Sequence, residues 1–278
     1  MLISRVAVIA VLIYCLCLSS CLTTERENIS PFGKSNTNLI ILAASSLTDA
    51  FTEIKSVFET SYPNVNVSLN FAGTPTLLTQ LTLSPNADLF VSADEHHMKL
   101  AHADGIITTD STIAFATNKL AIITPISNAR VKRISDISKP NTKIILALRH
   151  VPLGRYSHAS LDLISGLKNL SPDFTNKVLA NVVSQETAAR QVLAKIIIGE
   201  ADAGIVYITD AAKQHPDRLN VIQIPDEANV TAIYSIGMVA DRQGQPNNNA
   251  QNFIDFVVSD QGQDILRRHG FGKVQENQ

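Results

Sequence analysis

Residues 39–58 read LIILAASSLTDAFTEIKSVF, a stretch that joins a strand to a helix. Residues 39–44 are a continuous apolar run with the length of a buried strand. After two serines, apolar residues recur at three- and four-residue spacing with polar residues between them, which predicts a helix packed on a sheet. A strand followed directly by its covering helix is the repeating unit of α/β folds.

The same unit recurs along the rest of the chain. Apolar or alternating runs predict further strands at residues 65–71, 87–92, 119–125, 143–148, 178–184, 203–207, 221–224 and 233–240. Amphipathic stretches predict helices after Thr74, Asp94 and Pro152, and at residues 186–199 and 253–269. Strands that alternate with helices indicate mainly parallel sheets with helices on their faces, and therefore an α/β fold.

Several predicted strands end at small or hydroxyl-bearing residues. These are Ser45, Ser46, Thr74, residues 152–154, residues 188–189 and Tyr207. In open α/β sheets ligands lie at the carboxyl ends of the strands, where helix N-termini also favour anions. Each residue has a simpler structural interpretation, which stays open at this point: Tyr207 as a core aromatic residue, Ser45 as part of the turn, and Ser46 and Thr74 as helix caps.

The expected caps follow from local patterns. Ser46 precedes Asp49 by three residues, as in a capping box, and would cap a helix that begins at Leu47. Thr74 would cap a helix whose first residue is Pro75. A cap and a ligand contact are compatible at Ser46, because a capped helix end is itself an anion site.

The composition excludes several classes of function. The 278 residues are 45% hydrophobic with a formal net charge of -2, which allows a large buried core. Lysines and arginines are scattered and tryptophan is absent, so the basic, aromatic-bearing stripe of a nucleic-acid-binding protein is missing. Neither the G-x-S-x-G elbow of serine hydrolases nor the glycine-rich phosphate loop of nucleotide-binding proteins occurs.

Histidines and arginines near the predicted corners give weaker signals. His96, His97 and His102 lack the four-residue spacing that places two ligands on one helical face, so we expect a solvated face and no bound metal. Arg155 and Arg190 lie beside the corners and could contact an anion, but pairing with a surface carboxylate is the simpler expectation. No cofactor is predicted.

The first residues have the pattern of an export signal. Arg5 precedes an apolar stretch at 6–18, which is shorter than the roughly 20 residues of a spanning helix. The LSSC that ends at Cys21 resembles the bacterial lipoprotein box, and a plain signal peptide with a chance cysteine is the alternative. We predict a signal peptide at 1–20, a lipid on Cys21 and a flexible tether at 21–38. All three cysteines lie in this segment, so the remainder has none for a disulfide or thiolate metal site.

Seven stretches, taken in order, resemble the molybdate-binding proteins of bacterial ABC importers. They are AASSLTDAF (43–51), NFAGTPTLLTQL (70–81), ADLFVSAD (87–94), VPLGRYS (151–157), ETAARQVL (186–193), DAGIVYITDA (202–211) and FIDFVVSDQGQDILRRHGF (253–271). The resemblance covers nearly all of residues 39–271, and its most specific parts are ADLFVSAD and AGIVYITDA.

The resemblance implies a two-lobed, periplasmic-binding-protein-like α/β fold of type II, with a mainly parallel sheet in each lobe and two crossing hinge strands. The implied lobes are residues 39–116 with 238–278, and residues 117–237. It also implies that hydroxyls and backbone N–H groups hold a tetrahedral oxyanion in the cleft. The implied contacts are the hydroxyls of Ser46, Thr74 and Tyr207 and the N–H groups of Leu153 and Ala189, with Ser45 as a minor contact.

The implied function is that of a monomeric extracytoplasmic receptor, anchored through Cys21, that delivers molybdate or tungstate to an ABC permease and its ATPase. A site made only of donors would exclude a partly protonated phosphate. Sulfate or another tetrahedral oxyanion is the first alternative. An enzyme of the same bilobal shape is the second, although hydroxymethylbilane synthase, which has that shape, needs a cysteine-attached cofactor.

The sequence departs from the family pattern at two places. Thr74 stands where serine is commonest, which keeps the hydroxyl and adds a methyl group. Residues 147–150 read ALRH where relatives often have Asp-Pro, which leaves the shape of the corner before Leu153 open. Arg149 and His150 could then alter pH or anion preference near the cleft.

Overall fold

Two five-stranded sheets form the framework of the computed structural model, which describes residues 37–108, 110–127, 130–211, 217–240 and 247–275. In chain order the strands are β1 (Thr37–Ala44), β2 (Val65–Ala72), β3 (Leu89–Ser92), β4 (Ile113–Asn118), β5 (Leu120–Pro125), β6 (Ile144–Ala147), β7 (Val182–Glu186), β8 (Ala203–Tyr207), β9 (Leu219–Gln223) and β10 (Ala232–Met238). The predicted signal peptide at 1–20 and the lipidation site Cys21 lie outside the described residues. The predicted tether lies outside them as far as residue 36; residues 37 and 38 already belong to β1, where the Thr37 N–H donates to the Asn64 carbonyl at 2.9 Å.

Each sheet is parallel except for one strand. The first sheet has the order β2-β1-β3-β10-β4, in which β1 pairs in parallel with β2 and β3, and β10 runs antiparallel to β3 and β4. The second has the order β7-β6-β8-β5-β9, in which β6 pairs in parallel with β7 and β8, and β5 runs antiparallel to β8 and β9. The mainly parallel α/β fold predicted from the sequence is confirmed.

Helices cover both sheets. They are α1 (Thr48–Ser61), α2 (Thr74–Leu83), α3 (Glu95–Ala103), α4 (Pro152–Ser165), α5 (Phe174–Ala180), α6 (Ala189–Ile197), α7 (Ile208–Ala211), α8 (Asn248–Val258) and α9 (Asp260–Arg268), with 3-10 turns at Ser45–Leu47, Ile134–Ser138 and Asp226–Ala228. We call the first sheet with α1–α3, α8 and α9 the first lobe, and the second sheet with α4–α7 the second lobe. None of the helices in the described part of the chain has the length and apolar character needed to cross a membrane.

The chain passes between the lobes twice. Lys119 joins β4 to β5, and residues 224–231 join β9 to β10. The side chain of Asn229 ties the two crossings together, because its Oδ1 accepts from the Leu120 N–H at 3.0 Å and its Nδ2 donates to the Leu120 carbonyl at 2.9 Å. The predicted lobe boundaries at 116/117 and 237/238 fall inside β4 and β10, since both strands are paired in the first sheet along their whole length.

The first helix shows how the sequence pattern becomes packing. Ala50, Phe51, Ile54 and Phe58 of α1 are fully buried, at the spacing that predicted this helix. The rings of Phe58 and Phe253 from α8 meet with centroids 5.0 Å apart. Burial of each large side chain contributes roughly 1.5–3 kcal/mol, so this face fixes α1, and with it the corner before it, against the sheet.

Two predicted elements differ from the structure. Residues 178–180, predicted as the start of a strand, end helix α5, because Phe174 and Val178 lie one helical turn apart and are both buried. The predicted helix at 253–269 is broken at Ser259. The backbone of Ser259 is extended, and its hydroxyl accepts from the Gly262 N–H at 3.3 Å to begin α9.

Candidate functional site

A small cavity lies between the lobes at the carboxyl ends of the strands. Its empty space is about 210 Å³, including its opening to solvent. It is lined by Ala44, Ser45, Ser46, Ala72, Gly73, Thr74 and Ala93 from the first lobe, and by Val151, Pro152, Leu153, Ala189 and Tyr207 from the second. These residues end or follow six of the ten strands. The cavity therefore occupies the position where open α/β sheets bind ligands.

All six residues that were predicted to contact a ligand line this cavity, and all are buried. They are Ser45, Ser46, Thr74, Leu153, Ala189 and Tyr207. Among the described residues that form its wall, none is an aspartate, glutamate, lysine, arginine or histidine. The wall thus offers hydroxyls, backbone groups and apolar carbon, but no full charge.

Ser46 does not cap a helix. Ser45–Leu47 forms a 3-10 turn in which the Ser45 carbonyl accepts from Thr48 Oγ1 at 2.7 Å. Helix α1 begins only at Thr48, and no side chain caps its N-terminus. Ser46 Oγ instead lies 2.9 Å from the hydroxyl oxygen of Tyr234 in β10. The predicted cap is wrong, because the Ser46 hydroxyl lies between Tyr234 and the cavity.

Thr74 also differs from the cap that was predicted. It is the first residue of α2, so Gly73 occupies the N-cap position, and no side chain caps this helix. Thr74 Oγ1 accepts a hydrogen bond from the Ala93 N–H at 3.3 Å. Because a hydroxyl has one proton and two lone pairs, this contact leaves the Thr74 proton for a ligand.

Leu153 and Ala189 lie in the first turns of α4 and α6. The N–H groups of a first helical turn have no acceptor within the helix. The helix dipole adds partial positive charge at the same place. Both residues line the cavity, so the N-terminal ends of two helices of the second lobe lie at its wall.

The corner before Leu153, where residues 147–150 read ALRH, is a tight turn. The Val151 N–H donates to the Leu148 carbonyl at 2.9 Å, and the Leu148 N–H donates to the Glu186 carbonyl at 2.8 Å. Gly154 allows this approach, since a Cβ there would overlap the carbonyl oxygen of Leu148. Residues 149 and 150 are exposed and do not line the cavity.

Tyr207 supplies a hydroxyl donor to the cavity wall. Its ring is 1% exposed, and its hydroxyl has no hydrogen-bond partner among the described residues. Burial raises the pKa of this phenol well above its ordinary value, so it keeps its proton near neutral pH. A buried hydroxyl without a partner costs about 1–3 kcal/mol, which a ligand oxygen in the cavity would offset.

Arg155 and Arg190 pair with carboxylates on the other side of the cleft. The Arg155 guanidinium of the second lobe lies 3.2 Å from the Asp94 carboxylate of the first. Arg190 forms an ion pair with Asp49 of the first lobe, and its Nε lies 3.0 Å from Oδ1 of Asp210 in its own lobe. Both arginines pair with carboxylates, as expected. The pairs with Asp94 and Asp49, however, connect the two lobes and do not lie on the surface of a single lobe.

The three clustered histidines behave differently from one another. His97 is buried, with Nδ1 2.8 Å from Oδ1 of Asp94, so the predicted solvated face is wrong for this residue. His96 is exposed, and His102 Nε2 lies 2.6 Å from Thr112 Oγ1. The described residues contain no group of three or more histidine, cysteine, aspartate or glutamate side chains placed to hold a metal ion.

The sequence did not identify two residues behind the cavity wall, Tyr234 and Asn118. Tyr234 contacts Ser46, from which it is separated by 188 positions, and Asn118 Nδ2 lies 3.4 Å from the Tyr234 hydroxyl. Burial raises the pKa of Tyr234 above its ordinary value, so this phenol also stays protonated. No local pattern marks these residues, because their positions depend on where β10 enters the first sheet.

Comparisons with known proteins agree with this architecture. A family model described as bacterial extracellular solute-binding protein matches residues 39–272. The molybdate-binding protein ModA of Mycobacterium tuberculosis strain H37Rv is 32% identical over 237 residues, 85% of each chain. A Bacillus subtilis strain 168 protein, named among ABC transporter substrate-binding lipoproteins, is 27% identical over 268 residues, 95% of this chain and 96% of its own. The solved periplasmic molybdate-binding protein of Azotobacter vinelandii has a TM-score of 0.71 at 16% identity, covering 85% of this chain and 100% of its own.

Proposed function

The chain belongs to the family of bacterial extracellular solute-binding proteins, and on this premise we propose that it captures molybdate or tungstate between its lobes. One observation indicates that the ligand is a hydrogen-bond acceptor. The Tyr207 hydroxyl is buried, lines the cavity and has no partner among the described residues. Because this hydroxyl can donate a hydrogen bond into the cavity, a ligand that carries an acceptor atom would satisfy it.

The other groups at the cavity wall are donors of the same kind. Two hydroxyls, Ser46 and Thr74, come from the first lobe, and two first-turn N–H groups, Leu153 and Ala189, come from the second. Backbone donors and helix dipoles can stabilise an anion without a countercharge. A tetrahedral oxyanion accepts in several directions at once, which fits donors that come from opposite walls.

A wall of donors selects by ionisation. A protonated ligand oxygen would place a donor against a donor, which leaves buried groups unsatisfied at a cost of about 1–3 kcal/mol each. Phosphate is partly protonated near neutral pH, whereas molybdate, tungstate and sulfate are fully ionised. We therefore expect the site to reject phosphate.

The choice of molybdate or tungstate over sulfate rests on the relatives. ModA of Mycobacterium tuberculosis is a molybdate-binding protein by name, and it is 32% identical to this chain. The donor set itself accepts any fully ionised tetrahedral oxyanion of suitable size. Sulfate or a related oxyanion is therefore the alternative ligand within the same mechanism.

The proposed partners follow from the family. A solute-binding protein of an ABC importer passes its ligand to a permease driven by an ATPase, and we propose this role here. We also propose that the chain acts outside the cytoplasm as a monomer, held at a membrane by a lipid on Cys21. The LSSC pattern at residues 18–21 and the lipoprotein name of the Bacillus subtilis relative support the anchor.

Binding without catalysis is part of the proposal. The described cavity wall has no histidine, carboxylate or lysine that could exchange a proton with a ligand. Burial raises the pKa of the Tyr207 phenol well above its ordinary value, so it does not act as a base near neutral pH. The arrangement supports capture and release of an unchanged anion.

Titration calorimetry of the purified protein with molybdate, tungstate, sulfate and phosphate tests the proposal. We expect one site that binds molybdate or tungstate more tightly than sulfate, and no heat from phosphate. Dissociation constants above about 1 mM for every anion, equivalent to roughly 4 kcal/mol of binding free energy, would overturn it. A preference for sulfate would select the alternative ligand.

A matched pair of variants locates the site in the same assay. Tyr207→Phe removes the buried hydroxyl and should weaken binding by about 1.5–3 kcal/mol, the usual value for a hydrogen bond to a charged group. Tyr62→Phe is the control, because Tyr62 follows α1 at the end of the helix farthest from the cavity. Equal affinities of the two variants would remove Tyr207 from the site.

A further inference from the structure

Behind the cavity wall, Ser46 is hydrogen-bonded to a buried tyrosine from the far end of the chain. Ser46 Oγ and the hydroxyl oxygen of Tyr234 are 2.9 Å apart, and Tyr234 is fully buried. Either oxygen of such a pair can be the donor. The direction of this bond decides whether Ser46 offers a proton or a lone pair to the cavity.

Asn118 favours one direction of the bond between Ser46 and Tyr234. Its Oδ1 accepts from the Lys119 N–H at 3.0 Å, which orients the amide so that Nδ2 points to the hydroxyls of Thr209, at 2.9 Å, and Tyr234, at 3.4 Å. An amide nitrogen can only donate. Of the two described groups within hydrogen-bond distance of the Tyr234 hydroxyl, Asn118 Nδ2 and Ser46 Oγ, only Ser46 can therefore accept the Tyr234 proton.

We propose that Tyr234 and Asn118 are positioning residues, which fix the Ser46 hydroxyl as a donor to the bound oxyanion. The chain of donation runs from Asn118 Nδ2 to Tyr234, from Tyr234 to Ser46, and from Ser46 into the cavity. This inference rests on the proposed function and adds residues that do not touch the ligand. Thr74 has the same arrangement on a smaller scale, since the Ala93 N–H occupies its oxygen and leaves its proton free.

The proposed role has a consequence for selectivity. A serine hydroxyl that is free to rotate can donate to an ionised oxygen or accept from a protonated one. A serine that already accepts from Tyr234 is biased toward donating, which disfavours a protonated anion such as hydrogen phosphate. Loss of Tyr234 should therefore lower the affinity for a fully ionised anion and reduce the discrimination against phosphate.

A double-mutant cycle separates positioning from packing. Molybdate affinity is measured for the wild type, Ser46→Ala, Tyr234→Phe and the double variant. If Tyr234 acts through Ser46, Tyr234→Phe should weaken binding about tenfold alone but less than about twofold in the Ser46→Ala background. Equal losses in both backgrounds, or no loss from Tyr234→Phe, would overturn the inference.

The same proteins are titrated with phosphate at pH 6. Heat from phosphate that appears in Tyr234→Phe, but not in the wild type or in Tyr62→Phe, supports the directional role. The absence of phosphate heat in Tyr234→Phe counts against it, because a purely structural defect would weaken both anions alike. Thermal unfolding of each variant identifies any that fails to fold.

If Tyr234→Phe does not fold, Asn118→Ala replaces it in the double-mutant cycle. This substitution removes the donor to Tyr234, so it should weaken molybdate binding in the wild-type background but not in the Ser46→Ala background. The wild-type titration distinguishes a failure of the proposed function from a failure of the positioning role. A wild type that binds no oxyanion overturns the proposed function, whereas a wild type that binds while both cycles are additive overturns only the positioning role.

Discussion

Arg155 of the second lobe and Asp94 of the first lobe form an ion pair, with Nη2 3.2 Å from Oδ2. Asp94 is buried, also accepts from the His97 N–H at 2.9 Å, and caps α3. Burial opposes its ionisation, but the hydrogen bonds from His97 and the charge of Arg155 hold the pKa of the carboxyl below its ordinary value. The pair lies across the cleft, so it stabilises the arrangement in which the two lobes are together, which we call the closed state.

Replacement of Arg155 by glutamine should weaken molybdate binding without unfolding the protein. Because Arg155 is partly exposed, we expect a loss of no more than about 1 kcal/mol, roughly fivefold in affinity, and a smaller loss at high salt. Titration calorimetry at two ionic strengths measures both effects. Arg267→Gln is the control, since its ion pair with Asp264 lies within α9 of one lobe. Equal losses in the two variants would contradict a role in closure.

Gly73→Ala should block closure while both lobes remain folded. A Cβ at Gly73 would overlap the carbonyl oxygen of Thr187, which lies across the cleft in the second lobe. The backbone of Gly73, with φ -65° and ψ 139°, is one that alanine adopts readily, so folding of the first lobe is not affected. We expect binding to weaken by about 1–3 kcal/mol, the usual cost of overpacking, with little change in unfolding temperature.

Gly166→Ala is the control for this substitution. Gly166 ends α4, and its nearest contact is the Leu163 carbonyl oxygen of the same helix, 3.3 Å from an added Cβ. Removal of this glycine changes no contact between the lobes. Wild-type affinity in Gly73→Ala would show that the lobes do not approach this closely when the ligand is bound.

Buried Asp210 makes stability depend on pH, and Arg190 limits this dependence. Burial raises the pKa of Asp210 to about 7, and the Arg190 guanidinium limits that rise. A carboxyl whose pKa is raised by folding stabilises the protein most at low pH, and this stabilisation is lost as pH rises toward 7. Arg190→Gln removes the countercharge, raises the pKa further and extends the loss above pH 7.

Urea unfolding at pH 6 and pH 8.5 measures this effect. We expect Arg190→Gln to cost about 3 kcal/mol at pH 8.5, where a buried carboxylate would be left unpaired, and clearly less at pH 6, where the carboxyl is protonated. In the Asp210→Asn background the difference between the two pH values should disappear. An equal cost at both pH values in Arg190→Gln alone would contradict this account of Asp210.

The sequence predicted the parts of the site that local patterns encode. Strand runs followed by helix starts placed Ser46, Thr74 and Leu153 at the strand ends, and the structure brings them to one cavity. Their hydrogen bonds were not predictable, since the expected caps compete with partners from other strands. Tyr234 reaches Ser46 only because β10 inserts antiparallel between β3 and β4.

The contacts between lobes were equally beyond prediction. Arg155 and Arg190 were expected to pair with carboxylates, but nothing in the sequence indicates that Asp94 and Asp49 lie across a cleft. The same holds for Gly73. This residue has no room for a side chain because the Thr187 carbonyl oxygen of the other lobe lies against it. The spacing of residues along the chain predicts which residues lie on each side of the cleft. The distance between the two sides depends on how the whole chain folds.

Thr74→Val tests the second hydroxyl that the first lobe contributes to the cavity wall. Valine keeps the shape but removes the hydroxyl that accepts from the Ala93 N–H and faces the cavity. We expect molybdate affinity to fall by about 1.5–3 kcal/mol, as for a hydrogen bond to a charged ligand. Thr74→Ser should bind within about fourfold of the wild type, since a lost methyl group alone changes about 0.8 kcal/mol. Tight binding by Thr74→Val would remove this hydroxyl from the site.

The anomalous scattering of molybdenum or tungsten, from crystals of the protein grown with each oxyanion, locates the bound anion directly. We expect one strong peak in the cavity between the lobes. Its ligand oxygens should lie within about 3.2 Å of Ser46 Oγ, Thr74 Oγ1 and the Tyr207 hydroxyl. A peak elsewhere on the protein, or an empty cavity at saturating oxyanion, would contradict it.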